Sequence, residues 1–215
     1  MLIRPASLSI LVLLMVLLAG ASAGQSTDNI YKEYPKDKFL VGTGETAATG
    51  KPLNDKRVAE VLARLEIAKQ IKVRLKEETV DIMCEGSSAR LFKDILQCRN
   101  EFIMVVEVTV DEFLEGSKIV NHWEKDGTVY AVAVMPKAEA VKELDSKVKE
   151  SADKAKGNIE KAKKGDKEAA QDAQEEYMKA VTYDKEKEML DGVRSNAANM
   201  FEELEKELVK LGGGQ

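Results

Sequence analysis

The clearest periodic signal runs from Asp55 to about Asp81. There Val58, Val61, Leu62, Leu65, Ala68, Ile71 and Leu75 recur at three- and four-residue steps, with Lys and Arg between them. That spacing predicts an amphipathic helix with this stripe turned inward and Asn54 or Asp55 as its amino-terminal cap. The stripe drifts after Ile71, and Ile67 and Val73 fall off it, so cover on more than one side of the helix is expected. Ahead of it, Phe39-Leu40-Val41 is a short apolar run stopped by Gly42-Thr43-Gly44, which reads as a strand ending in a glycine turn. Residues 46–54 read as a polar loop.

Downstream the period changes. Gly86-Ser87-Ser88 interrupts the pattern, and Ala89 to Leu96 is expected to form a short helix with Leu91, Phe92 and Ile95 inward. In Phe102 to Val110, the residues Phe102, Met104, Val106, Val108 and Val110 fall on one face at period two, the signature of a half-buried strand. Gly116-Ser117 marks a turn. Lys118–Glu124 and Thr128–Met135 then flank Lys125-Asp126-Gly127. Asp-Gly favours a two-residue hairpin loop in which both positions need positive φ. With that loop, Lys125 faces Thr128 and Trp123 faces Tyr130, and the aromatic pair helps to fix the register. Pro136 ends the last strand, because it cannot donate to the ladder.

Everything after Pro136 reads as charged helix. Val141, Leu144, Val148, Ala152, Ala155, Ile159 and Ala162 trace a narrow stripe, and Lys164-Gly165-Asp166 is a break. A second helix is expected from Lys167 to about Val181. A third is expected from about Lys185 to Leu211, packing through Met189, Val193, Met200, Phe201, Leu204, Leu208 and Leu211. The pattern implies an α+β fold: a helix packed on a three- to four-stranded antiparallel sheet, followed by a charged C-terminal helical extension. The expected organisation is a leader over 1–23, a flexible arm over 24–37, the α+β domain over 38–137, the extension over 138–211 and a short tail over 212–215.

The leader adds a location. One positive charge at Arg4 precedes an apolar run from Leu8 to Leu18 and the small residues Ala21-Ser22-Ala23. This is the layout of a secretory signal peptide cleaved after Ala23. The eleven-residue run is short of the roughly 20 apolar residues that span a bilayer; an uncleaved signal would tether the protein to the membrane. Ala21 stands where a lipoprotein signal would carry its cysteine, so no lipid anchor is expected. The protein is then exported to the periplasm or cell surface and soluble after cleavage.

Charge narrows the partners. The chain has 33 Lys+Arg against 38 Asp+Glu; loss of Arg4 with the leader leaves a net −6. That balance argues against nucleic acid, whose phosphates call for a basic patch, and supplies no attraction to anionic lipid. The two cysteines, Cys84 and Cys98, are the candidate disulfide of an exported chain. The bridge would close a loop of about 15 residues, worth roughly 3 kcal/mol on the chain-entropy account; two buried thiols are the alternative. No metal or cofactor is expected: a zinc site wants four Cys, His or acidic ligands, and His122 is the one histidine.

No catalytic constellation is visible. Gly42-x-Gly44 lacks the remaining residues of a dinucleotide or phosphate loop. His122 has no nucleophile or orienting partner that the sequence can place beside it, and there is no G-x-S-x-G elbow. Acidic pairs such as Glu77-Glu78 and Glu202-Glu203 read as solvated helix faces. Trp123 and Tyr130 are the candidate binding surface, weighed against simple cross-strand packing.

Three segments together resemble the LPP-twenty family of bacterial envelope lipoproteins. YPKDKFLVGTGETAATGKPLNDKRVAEVLARLEIAKQIKVRLKEE is similar to its opening, with a Tyr-Pro arm, a strand holding Gly-x-Gly and an Ala/Lys/Arg-rich helix. EFIMVVEVTV fits an intervening strand, and GSKIVNHWEKDGTVYAVAVMPKA the closing hairpin. The resemblance covers Tyr34 to about Lys137. It implies a helix-on-sheet domain of the cell envelope, related to one in a periplasmic flagellar assembly protein, and it carries over no catalytic residues. Ala21 and the extension beyond Lys137 depart from the family pattern. The expectation is a non-catalytic envelope protein that contacts other envelope proteins, or itself, through the C-terminal helices. On that view residues 138–215 are dispensable for the fold. The alternative is a small-ligand or glycan-binding module using the sheet aromatics.

Overall fold

In the computed structural model, residues 27–76, 80–85 and 90–212 are described; the leader and Gly213–Gln215 lie outside them. Contacts divide the chain after Glu33. The described element of the first unit is helix α1, Thr27–Glu33, so the stretch expected to be an arm holds a two-turn helix. Tyr34–Gln215 forms one compact unit. It runs β1 (Phe39–Ala47), α2 (Pro52–Leu75), α3 (Asp81–Glu85), α4 (Ile95–Phe113), β2 (Lys118–Lys125), β3 (Thr128–Pro136), α5 (Lys137–Lys163), α6 (Lys167–Asp191) and α7 (Ala198–Gly212). No described helix is long and apolar enough to cross a membrane.

The sheet is antiparallel in the order β1-β3-β2. The central strand β3 is buried from Ala131 to Met135, as a strand paired on both edges should be. The expected hairpin forms: Asp126 and Gly127 have φ of 51° and 72°, Lys125 faces Thr128, and Trp123 faces Tyr130. Strand β1 does not stop at Gly42-Thr43-Gly44. It continues through both glycines to Ala47, pairing Gly42 with Ala133 and Gly44 with Ala131. The glycines serve the helix instead. A Cβ on Gly42 would overlap the Ala63 carbonyl of α2, and one on Gly44 the Ala59 carbonyl. Glycine under a helix lets two backbones approach more closely than any side chain allows.

That approach decides which side of α2 is inside. The buried ridge is Asp55, Ala59, Ala63, Ile67, Ile71 and Leu75, joined by Ala68. The expected inward stripe is therefore corrected: Ala68, Ile71 and Leu75 are buried, but Val58, Val61, Leu62 and Leu65 are exposed. Neither Asn54 nor Asp55 is the cap. The helix begins at Pro52 after Lys51, with no side-chain cap. Asp55, one turn in and buried, accepts hydrogen bonds from the Thr49 hydroxyl and amide at 2.7 and 2.9 Å, and the hydroxyl bond holds its carboxyl below the usual range.

A second correction concerns Phe102–Val110, which is helix rather than strand. It lies within α4, capped by Asp94, whose side chain accepts from the Gln97 amide at 2.8 Å. The buried residues Phe102, Val105, Val106, Thr109, Val110 and Phe113 follow helical spacing. A nearly continuous apolar run satisfies both periods, and length with an amino-terminal cap decides for helix. The helix expected over Ala89–Leu96 is instead a short turn at Arg90–Leu91, with α4 starting at Ile95; Leu91 and Phe92 face the core, but Ile95 is exposed.

The helices after Pro136 fold back onto the rest. The break at 164–166 forms as expected, with Gly165 at φ 102° and Asp166 capping α6. The next break falls later than expected: α6 runs unbroken through Tyr183 to Asp191 and ends on Gly192, whose φ of 70° makes a left-handed cap. In α7, Leu204 and Leu208 are buried, while Val193, ahead of it, is exposed. Leu144, Val148 and Tyr183 join α2, α4 and the sheet in one core. Ala152, Ala155, Ile159, Tyr177, Leu204 and Leu208 join Phe102 and Val105 in a second.

Candidate interaction surface

Of the candidate residues, the cysteines meet most directly. Cys84 on α3 and Cys98 on α4 are joined by a disulfide with their Cα atoms 5.7 Å apart, and both are fully buried beside Phe102 and Tyr177. The bridge pins the short α3 to α4.

Trp123 and Tyr130 stack, ring centroids 5.0 Å apart and planes within 6°. Each ring turns a face to the other, the arrangement of a packing pair, and both are half-buried. Two grooves lie elsewhere. One of about 460 Å³ is lined by Arg90, Phe92, Lys167, Gln174 and Leu211 among others. One of about 380 Å³ lies between α5 and α6, lined by Lys154, Asn158, Asp172 and Glu175 among others. Neither includes the sheet aromatics. His122, on the opposite side of β2 from Trp123, lies 2.8 Å from Glu60 of α2 and ties the edge strand to that helix.

Polar groups, some of them buried, cluster where α4, α5 and α6 meet. Tyr183 donates to Glu112 at 2.6 Å, and Lys147 donates to the same oxygen at 3.1 Å while lying 5.4 Å from the Tyr183 ring centroid. Burial works against the Glu112 charge, but these two donors hold its carboxyl below the usual range. Burial and Glu112 together push the Tyr183 phenol up. Glu186, 1 % exposed, is different: its Oε1 lies 2.8 Å from the Thr109 hydroxyl and its Oε2 has no partner. Burial pushes its carboxyl up to about 8. Thr109 also lies 3.3 Å from the Val106 carbonyl, and one hydroxyl has one hydrogen. A neutral Glu186 resolves this by donating to Thr109, which donates to Val106, leaving an unpartnered carbonyl oxygen rather than an unpartnered charge. These contacts fasten three helices; Glu186, Thr109 and Tyr183 are buried, while Glu112 and Lys147 reach the surface.

The longest run of exposed apolar positions at helical spacing among the described residues is on α2, beside shorter ones such as Met104 and Val108 on α4. Val58, Val61, Leu62 and Leu65 are 47, 54, 39 and 43 % exposed and lie at i, i+3, i+4 and i+7, one continuous stripe. Arg57 and Arg64, two turns apart, run along one edge, and neither is ion-paired to another described residue. On the far edge Glu66 lies 3.7 Å from Lys69. Periodicity pointed to the stripe but not to which way it faces; the signal for that was Gly42-x-Gly44 taken together with Ala59 and Ala63. Compared with protein-family models and with curated proteins, the chain matches none.

Proposed function

We propose that this protein is an exported, non-catalytic component of the cell envelope that works by binding another protein. The observation that carries the reading is the apolar stripe on α2. Contiguous exposed apolar surface of this kind marks a contact site, because water leaves it at a gain of about 25 cal/mol per Å². Export rests on the leader, with its Arg4, its apolar run and its Ala21-Ser22-Ala23 ending. A disulfide between Cys84 and Cys98 suits an oxidising compartment. A likeness to the LPP-twenty family fits the order of β1, α2 and the β2–β3 hairpin, but the EFIMVVEVTV stretch that it would make a strand is helix α4.

The contact surface moves from where sequence alone would put it. Helices α5 to α7 turn their apolar sides to the two cores, so they offer less to a partner than α2 does. The ligand-binding alternative uses the Trp123 and Tyr130 side of the sheet, where the two rings stack on each other and line neither groove.

The test is fractionation of source cells with mass measurement of the mature chain, together with a photo-crosslinking residue at Val61. Recovery from the envelope fraction with cleavage after Ala23, and a cross-linked protein from Val61, is the expected result. Retention in the cytoplasm with no cross-linked product would remove the reading.

A further inference from the structure

We propose that the α2 stripe seats an acidic amphipathic helix of another protein, placed end to end with α4. This rests on the interaction reading above and names the chemistry of the partner.

The argument begins with how α4 already sits on α2. Lys72 reaches Asp111 at 3.0 Å and Glu107 at 3.4 Å, and Lys76 reaches Glu107 at 2.7 Å. Rising numbers on α2 meet falling numbers on α4, so the helices are antiparallel. A helix turns by nearly two full turns in seven residues. Val58, Leu65 and Lys72 therefore form one line along α2, and Leu62, Lys69 and Lys76 another. The exposed stripe and the lysines that hold α4 share one side of α2.

Helix α4 stops short of the stripe. It ends at Phe113, and the chain turns through Leu114–Gly116 into β2. With Asp111 level with Lys72, the antiparallel register runs out before Leu65. Val58 to Leu65 covers about 10 Å at 1.5 Å per residue, the length of two helical turns. The occupant that fits is a short helix continuing the line of α4.

Charge selects among occupants. On the α4 half of this side, cations on α2 meet carboxylates spaced i, i+4 on the covering helix. On the open half, Arg57 and Arg64 wait at i, i+7, and Glu60 is turned away to His122. A second copy packed antiparallel about a twofold would set this edge against itself and bring arginine to arginine. A flat anionic bilayer would meet Glu107, Asp111 and Glu115 of the adjoining α4 end, all exposed, together with the stripe. A narrow helix with carboxylates on the arginine edge avoids both conflicts.

The probe is a fluorescent 14-residue peptide of Leu, Ala and Glu, with Leu at i, i+3, i+4 and i+7 and Glu along the flanks, set against the same peptide with Lys for every Glu. Binding to the mature protein is read by anisotropy. The acidic peptide is expected to bind at least tenfold tighter than the basic one. Leu65→Asp should abolish that binding, and the doubly reversed Arg57→Glu/Arg64→Glu protein should switch preference to the Lys peptide. Leu65 and Arg57 are exposed and Arg64 is half-buried, and thermal melts check that the variants fold. Equal binding of both peptides, or none, overturns the proposal. A dimer by sedimentation that Leu65→Asp dissolves would overturn it in favour of a second copy. Loss of cosedimentation with phosphatidylglycerol vesicles on the same change would overturn it in favour of a membrane. The cross-link from Val61 separates the two levels: a cross-linked protein without acidic-peptide binding overturns the partner class and keeps the interaction reading, and failure of both removes both.

Discussion

Gly44 of β1 lies directly against Ala59 of α2, so closely that a single methyl on the glycine would meet the alanine carbonyl and the Ala63 amide. Gly42 stands in the same relation to Ala63, with Ile67 beside it. The pair of glycines and the pair of alanines form one seam, and the seam orients α2.

Substitution in the seam is expected to be costly. Gly42→Ala or Gly44→Ala forces backbone apart, since the obstructing atoms belong to the helix main chain rather than to a flexible side chain. Overpacking of this kind costs about 1–3 kcal/mol, and Gly→Val should exceed it. Urea denaturation checks this against Gly50→Ala, a loop position with φ of 79° and open space around it, where only the strain of left-handed backbone, about 1 kcal/mol, applies. Equal losses at the two sites would show that the close approach does not matter.

The disulfide is expected to contribute about 3 kcal/mol, the loop-closure value for a bridge of this span. Dithiothreitol should lower the urea midpoint of the wild-type protein and leave that of Cys84→Ala/Cys98→Ala unchanged. If reductant moves neither, the bridge does not form in solution.

The stability of the fold should fall as pH rises from about 4.5 to about 8, through Glu186. Its folded carboxyl keeps its proton to about 8 while the unfolded one releases it near 4.5. The folded state therefore binds more protons across that window, and the slope of stability with pH is negative. At about 1.4 kcal/mol per pKa unit, the whole effect is on the order of 5 kcal/mol. Glu186→Gln keeps the shape and a hydrogen bond to Thr109 without a charge to bury. It should flatten the slope and be the more stable protein at pH 8 and above, read by urea titrations from pH 5 to 9. A variant with the wild-type slope would assign the pH dependence to another group.

Removal of residues 138–215 is expected to unfold the remainder, contrary to the two-part organisation the sequence suggests. Val106, Val110 and Phe113 of α4 share their core with Leu144, Val148 and Tyr183, and Phe102 shares the second core with α5, α6 and α7. Uncovering large core residues costs roughly 1.5–3 kcal/mol each, against a total stability of about 5–15 kcal/mol. Circular dichroism should show no cooperative melt for residues 24–137. A sharp melt would mean that the sheet, α2 and α4 suffice.

How much of this was legible in the chain differs from element to element. Asp126-Gly127 announced its hairpin because two consecutive positive φ values are a local requirement, and the register Trp123 to Tyr130 followed. The stripe of α5 and the break at Lys164-Gly165-Asp166 were equally plain. Phe102–Val110 was not, since a run apolar at nearly every position fits a strand and a helix alike. The end of α6 was missed because Thr182, Tyr183, Asp184 and Glu186 carry polar groups in sequence yet are buried. In the candidate surface, Val58, Val61, Leu62 and Leu65 were singled out correctly as a stripe and wrongly as core.

What the sequence determined by itself is the local part: where the chain turns, which residues are periodic, an α+β order of elements, and two cysteines available to pair. Turns, caps and periods are set by backbone preferences within a few residues, and these are written in the chain. What only the tertiary structure decided is which apolar face is interior. That choice depends on a partner distant in sequence, here two glycines of β1 that admit the small side of α2 and leave its larger side in water.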